Sequence, residues 1–439
     1  MIDIDQLARK GKPIGNRFLV AVCLGGILLA FSPSATAQPS NSAEQTLTED
    51  DAVRRALAVD KRQRLWDAQI ATDEADAKSA AAWPNPTVGY TRDQSFEEPD
   101  SVSENFVLVE QTLPLSGQRG LRADAARKRA EAARFDTRAE ARQITTVVRH
   151  AFYQALTLQR QIEIRRAWLD QMSQVEGQIS RRVQAGESAP YELERLRREM
   201  ADVVASIDAD EAELARLEAR LVGMLGLETR PGELRVTGEI LPEAPPSADQ
   251  LRESVQQRPE IVAAQKRAEA ASLQIEAASR WWVPEPAVTG GYKGANVGGD
   301  RFHGFVIGVG LSLPLFDRQE GERMAAEAAL VRAESRQSLL ERRLSAEILG
   351  LARQVRKLEA SAQTYQEEGV ERAQKVLDVA QQAYDSGEVG ILELIDAYRG
   401  AVDSRLRRVD LAARARARHI ELQQYLDTVP DTASSNEGE

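Results

Sequence analysis

Phe305-Val306-Ile307-Gly308-Val309-Gly310-Leu311-Ser312-Leu313-Pro314-Leu315 alternates from end to end. Phe305, Ile307, Val309, Leu311 and Leu313 are large and apolar; Val306, Gly308, Gly310 and Ser312 between them are small or polar. Successive side chains of a strand point to opposite faces. Alternation over about ten residues fits a strand with lipid on one side and a wet lumen on the other. It fits equally a half-buried strand of a soluble sheet.

Leu113-Pro114-Leu115 stands 200 residues before Leu313-Pro314-Leu315, and Pro84-Asn85-Pro86-Thr87-Val88 stands 200 before Pro284-Glu285-Pro286-Ala287-Val288. Gly186-Glu187 and Glu192-Leu193 return as Gly387-Glu388 and Glu393-Leu394, at an offset of 201. The chain is therefore a duplication, each half ordered helix, strand, strand, long helix, glycine turn, helix. The first repeat is expected over 38–226, with strands at about 87–94 and 104–115. The second is expected over 248–427, with strands at about 287–293 and 303–315. Between them, 227–247 is a linker holding Pro231, Pro242, Pro245 and Pro246, and 428–439 reads as a flexible tail.

Proline breaks helices, and none occurs between Pro114 and Pro190, Pro190 and Pro231, or Pro314 and Pro430. These stretches are rich in Ala, Leu, Arg, Glu and Gln, all strong helix formers. Four helical arms follow, at about 119–185, 189–226, 319–386 and 390–427. An arm of 67 residues would be about 100 Å long at 1.5 Å per residue. Leu193, Met200, Ile207, Leu214 and Leu221 repeat every seven residues, with Leu196, Val203, Asp210, Leu217 and Met224 as the companion series. That is a coiled-coil seam with Asp210 its single polar member.

Arg9, Lys10, Lys12 and Arg17 precede an apolar run from Phe18 to Phe31, and Ala35-Thr36-Ala37 follows. The order is that of a secretory signal ending at residue 37. A membrane anchor would need about 20 apolar residues; lipidation at Cys23 is a lesser alternative. Of 439 residues, 57 are Lys or Arg and 68 are Asp or Glu, a formal charge of -11. Removing 1–37, with four basic residues against Asp3 and Asp5, takes the charge to -13. So acidic a chain is a poor phosphate-binding surface, and no nucleic-acid partner is expected. One cysteine allows no internal disulfide and no cysteine-built zinc site. His150, His303 and His419 are scattered, and no Ser-His-Asp arrangement, P-loop or dinucleotide fingerprint occurs. No enzyme, metal site or cofactor is expected.

No later segment is apolar enough to cross a membrane as a helix, so any crossing must use strands closed into a barrel. Four strands per chain leave open edges that hydrocarbon does not tolerate; transmembrane strands would require oligomers. The signal, the duplicated unit, the two Leu-Pro-Leu endings and the turns Val183-Gln184-Ala185-Gly186 and Tyr384-Asp385-Ser386-Gly387 resemble the TolC family of outer-membrane efflux channels over about 47–427. Leu115-Ser116-Gly117-Gln118-Arg119 and Leu315-Phe316-Asp317-Arg318-Gln319 are similar to its CzcC-like branch, which serves heavy-metal exporters.

The resemblance implies a fold and a set of partners. The fold is an α-helical coiled-coil tunnel plus a transmembrane β-barrel, with a homotrimer forming one 12-stranded barrel in the cell outer membrane and a tunnel across the periplasm. The partners are a periplasmic adaptor (membrane fusion protein), an inner-membrane pump of the RND type and outer-membrane lipid. The function is passive export, of metal cations or small toxic solutes. A duct for type I protein secretion is a variant on the same fold; a periplasmic coiled-coil adaptor or scaffold is the rival of another class. By resemblance Glu393, Asp396, Tyr384 and Glu192 form the periplasmic gate, although Val389 stands where the family has an arginine. Val183, Gly186, Ala189, Gly387, Val389 and Leu392 form the adaptor-docking tips. Phe305, Ile307, Val309, Leu311 and Leu313 form the lipid-facing strand.

Overall fold

The structure, a computed structural model, describes residues 45–96, 101–228, 232 and 234–426. The signal at 1–37 and the tail at 428–439 lie outside the described residues. In chain order the elements are β1 (Gln45–Leu47), α1 (Glu49–Leu57), α2 (Asp60–Ala81), β2 (Thr87–Phe96), β3 (Ser101–Thr112), α3 (Gln118–Gln184) and α4 (Pro190–Leu225). Then come β4 (Leu234–Val236), α5 (Ala248–Gln256), α6 (Pro259–Ser279), β5 (Pro286–Val297), β6 (Asp300–Leu311), α7 (Glu320–Tyr365), a π-helical turn (Gln366–Val370), α8 (Glu371–Asp385) and α9 (Ile391–Leu426).

β2, β3, β5 and β6 form one antiparallel sheet in that order, so among the described residues β2 and β6 are its open edges. The helices keep the same order: α2 packs on α3, α3 on α6, and α6 on α7. Farther along, α3 packs on α4 and α9, and α9 packs on α7 and α8.

The strands stop short of the expected ends. β3 ends at Thr112, not 115, and β6 at Leu311, not 315. Pro114 and Pro314 have no N–H to give a ladder. Each Leu-Pro-Leu instead closes a tight turn, in which Leu115 N–H donates to Leu113 and Leu315 N–H to Leu313, both at 2.9 Å. Leu313 therefore lies on a turn beyond its strand. At the other end the strands run longer than the alternation signalled, because ladder pairing continues through polar residues to Phe96–Ser101 and Val297–Asp300.

The expected linker 227–247 contains β4, which the sequence did not signal. β4 pairs in parallel with β1. Arg416 of α9 donates to the carbonyls of Glu239, Ile240 and Leu241 at 2.8–2.9 Å, and its guanidinium lies 4.5 Å from the Tyr153 ring centroid. Phe152, Leu156, Leu217, Leu221, Val236 and Ile420 close one core over this region. A second core, with Trp168, Met172, Ile179, Leu196, Leu377, Tyr384 and Leu394, binds the ends of both hairpins. Within the coiled-coil seam, Asp210 is half-buried and paired with Arg165 of α3, which accounts for the one polar position.

Candidate functional site

The two hairpin tips have the same construction. Gly186 and Gly387 sit at φ 78° and 79°, left-handed conformations that glycine adopts without a Cβ clash. Glu187 N–H reaches back to Arg182 C=O, and Glu388 N–H to Ala383 C=O, each at 2.8 Å. These bonds satisfy carbonyls at the ends of α3 and α8. Pro190 then opens α4 at a position where no N–H is needed. Val183 and Val389 are half-buried against the tip core; Ala189 and Leu392 are exposed.

The four expected gate residues do not form one cluster. Tyr384 is buried at 7% exposure in the tip core, with the Arg182 guanidinium 5.8 Å from its ring centroid. Glu393 and Asp396 are exposed and share a groove between α8 and α9 with Lys375, Val376, Val379 and Val389. Val389, expected at the docking surface, thus lies beside the expected gate acids. Glu192 and Glu393 are each in the first turn of a helix, where a carboxylate also complements the helix dipole. Glu192 is half-buried. Sequence reasoning missed a tie between the hairpins, the ion pair of Arg399 on α9 with Glu199 on α4. Near the sheet, where the repeats are offset by 200, the equivalent positions Arg122 and Glu322 pair with each other at 2.8 Å. That pair of touching equivalent positions marks the axis relating the repeats near the sheet.

The sheet sorts its residues by face. Cross-strand register puts Tyr90, Val107, Tyr292 and Phe305 in one row, and Val88, Val109, Gly290 and Ile307 in the next. Gln111, Val288 and Val309 form the next row, where Gln111 is the one polar member, and Pro286 with Leu311 continues the same face. Phe305, Ile307 and Val309 are 82%, 75% and 71% exposed. This apolar band covers six residue steps, about 20 Å along the strand. The opposite face carries Thr87, Glu110, Thr289 and Gly308, then Gly89, Leu108, Gly291 and Val306, then Thr91, Phe106, Lys293 and Gly304. Gly291 is required there, since a Cβ would sit 2.1 Å from Val107 O. Among the described residues no helix is long and apolar enough to cross a membrane.

The family profile described as "Outer membrane efflux protein" matches residues 43–227 and 251–428. The chain is 22% identical to the cobalt-zinc-cadmium resistance protein CzcC of Cupriavidus metallidurans, over 77% of this chain and 80% of that one. It is 27% identical to the nickel and cobalt resistance protein CnrC of the same organism, over 61% and 64% of the two chains. Among solved structures, the outer membrane protein VceC of Vibrio cholerae superposes with a TM-score of 0.69 at 19% identity, covering 86% of this chain and 95% of that one.

Proposed function

The chain belongs to the outer membrane efflux protein family, and we propose that three copies of it form the outer-membrane duct of a tripartite exporter of divalent metal cations. It is an efflux channel component and not an enzyme. The observation that supports the trimeric duct is the pair of open edges. Among the described residues, β2 and β6 each lack a neighbour on one side of a sheet whose one face is largely apolar and exposed. Unpaired strand edges are not tolerated in hydrocarbon. Three copies joined β6 to β2 make a 12-stranded barrel, with the apolar band outward to lipid and the mixed face, which carries the carboxylates and Lys293, inward. The helices, ordered like the strands, continue that wall into a tunnel across the periplasm. The metal cargo is supported by relatives named for resistance to cobalt, zinc, cadmium and nickel.

On this proposal the tips at Gly186 and Gly387 meet a periplasmic adaptor, which couples the duct to an inner-membrane pump. Glu393 and Asp396 would place six carboxylates at the entrance of the trimer, and rings of acids select cations. The test is complementation of a strain lacking its own duct. Restored growth on cobalt, zinc, nickel or cadmium is expected. The metal cargo is refuted if metal tolerance stays at the level of the empty strain while tolerance to organic toxicants is restored. Planar-bilayer reversal potentials test the acids separately: Glu393→Gln with Asp396→Asn should lower cation selectivity, and equal selectivity would reduce them to helix-start acids.

A further inference from the structure

Beyond the apolar band, on the side away from the helices, the same sheet face turns basic. The row after Tyr90, Val107, Tyr292 and Phe305 holds Arg92, Asn105, Gly294 and His303; the next holds Gln94, Ser103, Asn296 and Arg301. Each row lies about 7 Å past the one before. Every described carboxylate of the four strands, on Asp93, Glu104, Glu110 and Asp300, is on the other face. The one base on that other face, Lys293, is paired with Glu104 at 2.8 Å. Arg92, Arg301 and His303 are exposed, and His303 Nδ1 is hydrogen-bonded to the Tyr292 hydroxyl while the two rings stack with centroids 5.8 Å apart.

On this face the bases are also confined to the two edge strands. At these rows the interior strands β3 and β5 contribute only Asn105, Ser103, Gly294 and Asn296. Joining β6 of one copy to β2 of the next would bring Arg301 and His303 of one copy to the same seam as Arg92 of its neighbour. We propose that each seam is a binding site for the phosphate of an anionic glycolipid in the outer leaflet, built from Arg92 of one copy and Arg301 and His303 of the next. Guanidinium groups bind phosphate through paired charge-assisted hydrogen bonds. The site continues the apolar band on one face, so its ligand must carry a phosphate directly above acyl chains. A soluble anion satisfies only the first condition. The site rests on the barrel proposed above.

The test uses the full mature chain, purified as its oligomer and incubated with a diphosphorylated, acylated disaccharide glycolipid, with bound lipid counted by native mass spectrometry. Arg92→Gln with Arg301→Gln should lower retention about tenfold or more, the scale of two lost charge-assisted contacts. Arg301→Gln alone should fall between, Lys293→Gln should leave retention unchanged, and the dephosphorylated glycolipid should bind as weakly to the wild type as the intact one does to the double variant. Equal retention in the double variant, equal loss in Lys293→Gln, or full displacement by inorganic phosphate overturns the site. Cys23 is the chain's single cysteine, so Ile307→Cys gives a unique fluorophore position once the signal is removed. Quenching there by brominated acyl chains, without any phosphate dependence, overturns the glycolipid site alone. No quenching overturns the barrel and the site with it.

Discussion

The two long arms of the duplication solve one problem in different ways. α3 runs unbroken from Gln118 to Gln184, whereas its counterpart is α7, a π-helical turn at Gln366–Val370, and α8. Buried positions match at an offset of 200 as far as Val148 with Ile348, Phe152 with Ala352, Ala155 with Val355 and Ile162 with Ala362. At the tips, Gly186 matches Gly387 at 201. One residue has been added in between, and a π turn is the form in which a helix holds one extra residue without rotating the turns beyond it. Gly369 lies inside it, where a Cβ would stand 2.7 Å from the Tyr365 ring. The step in offset thus marks a local bulge that leaves the tip core aligned.

That difference predicts opposite responses of the two arms to the loss of one residue. Deleting Ala167, exposed on α3, would turn the rest of the helix by about 100°. Trp168, Met172, Val175 and Ile179, all buried, would leave the tip core. Truncating a single large core residue costs about 2–5 kcal/mol, so four displaced together exceed the margin of most domains, and no folded oligomer is expected by thermal melting or size exclusion. Deleting Gly369 should let the π turn revert to α and keep the oligomer. If both deletions are tolerated, or both abolish folding, the bulge is not what keeps the arms in step.

The second effect sharpens the equivalence of the repeats at the sheet. Val107 and Ile307 occupy neighbouring rows on the apolar face, one on an interior strand and one on an edge. Arginine at either should cost about 2–4 kcal/mol near a bilayer midplane, read as loss of heat-resistant oligomer in membranes. In water, substitution of side chains 45% and 75% exposed would cost far less. Unchanged oligomer in both variants would mean that the face never meets lipid.

Much of the fold is legible in the sequence, for identifiable reasons. Long helices have a strong periodic signal, and the arms start and stop within a few residues of the glycine and proline positions that physically cap them. Only β6 alternates cleanly enough to reveal its face from sequence. β5, with Gly290-Gly291 and Gly294, has too few large side chains to do so, and its face comes from pairing. β1 and β4 are three residues each, below any useful period, and their pairing is long-range. Tyr384 was expected at a gate with Glu393 and Asp396. Residue type does not say which side of a helix faces the neighbouring hairpin, and it lies in the core.

Asp210 pairs with Arg165 across α3 and α4, both side chains 20% exposed, while its equivalent at offset 201 is Leu411. Asp210→Leu makes the repeats alike but strands a partly buried guanidinium. A destabilisation of about 1–2 kcal/mol is expected, less than for a fully buried pair. Adding Arg165→Gln should recover most of it. A double variant no better than the single one would show that the pair is incidental to the hairpin.

The smallest effect separates Glu218 from its equivalent His419. Glu218 is buried on α4 at 5% exposure, and Gly232 N–H donates to it at 2.7 Å. Burial raises its carboxyl above the usual 4.5, and the backbone bond from Gly232 only partly opposes this. Linkage gives the sign. Between the unfolded and the raised folded value the native state holds more proton than the unfolded chain, so stability falls as pH rises through that window. Above the window the buried charge opposes folding in full. Glu218→Gln keeps an acceptor for Gly232 and removes the charge. It should therefore raise the melting temperature at neutral pH, with the gain shrinking as pH drops toward 4.5. Thermal melts of wild type and variant across pH 4–8 decide it. A gain that stays constant with pH would assign the difference to packing, and a loss at neutral pH would mean that the ionised carboxylate holds the segment at Gly232 in place.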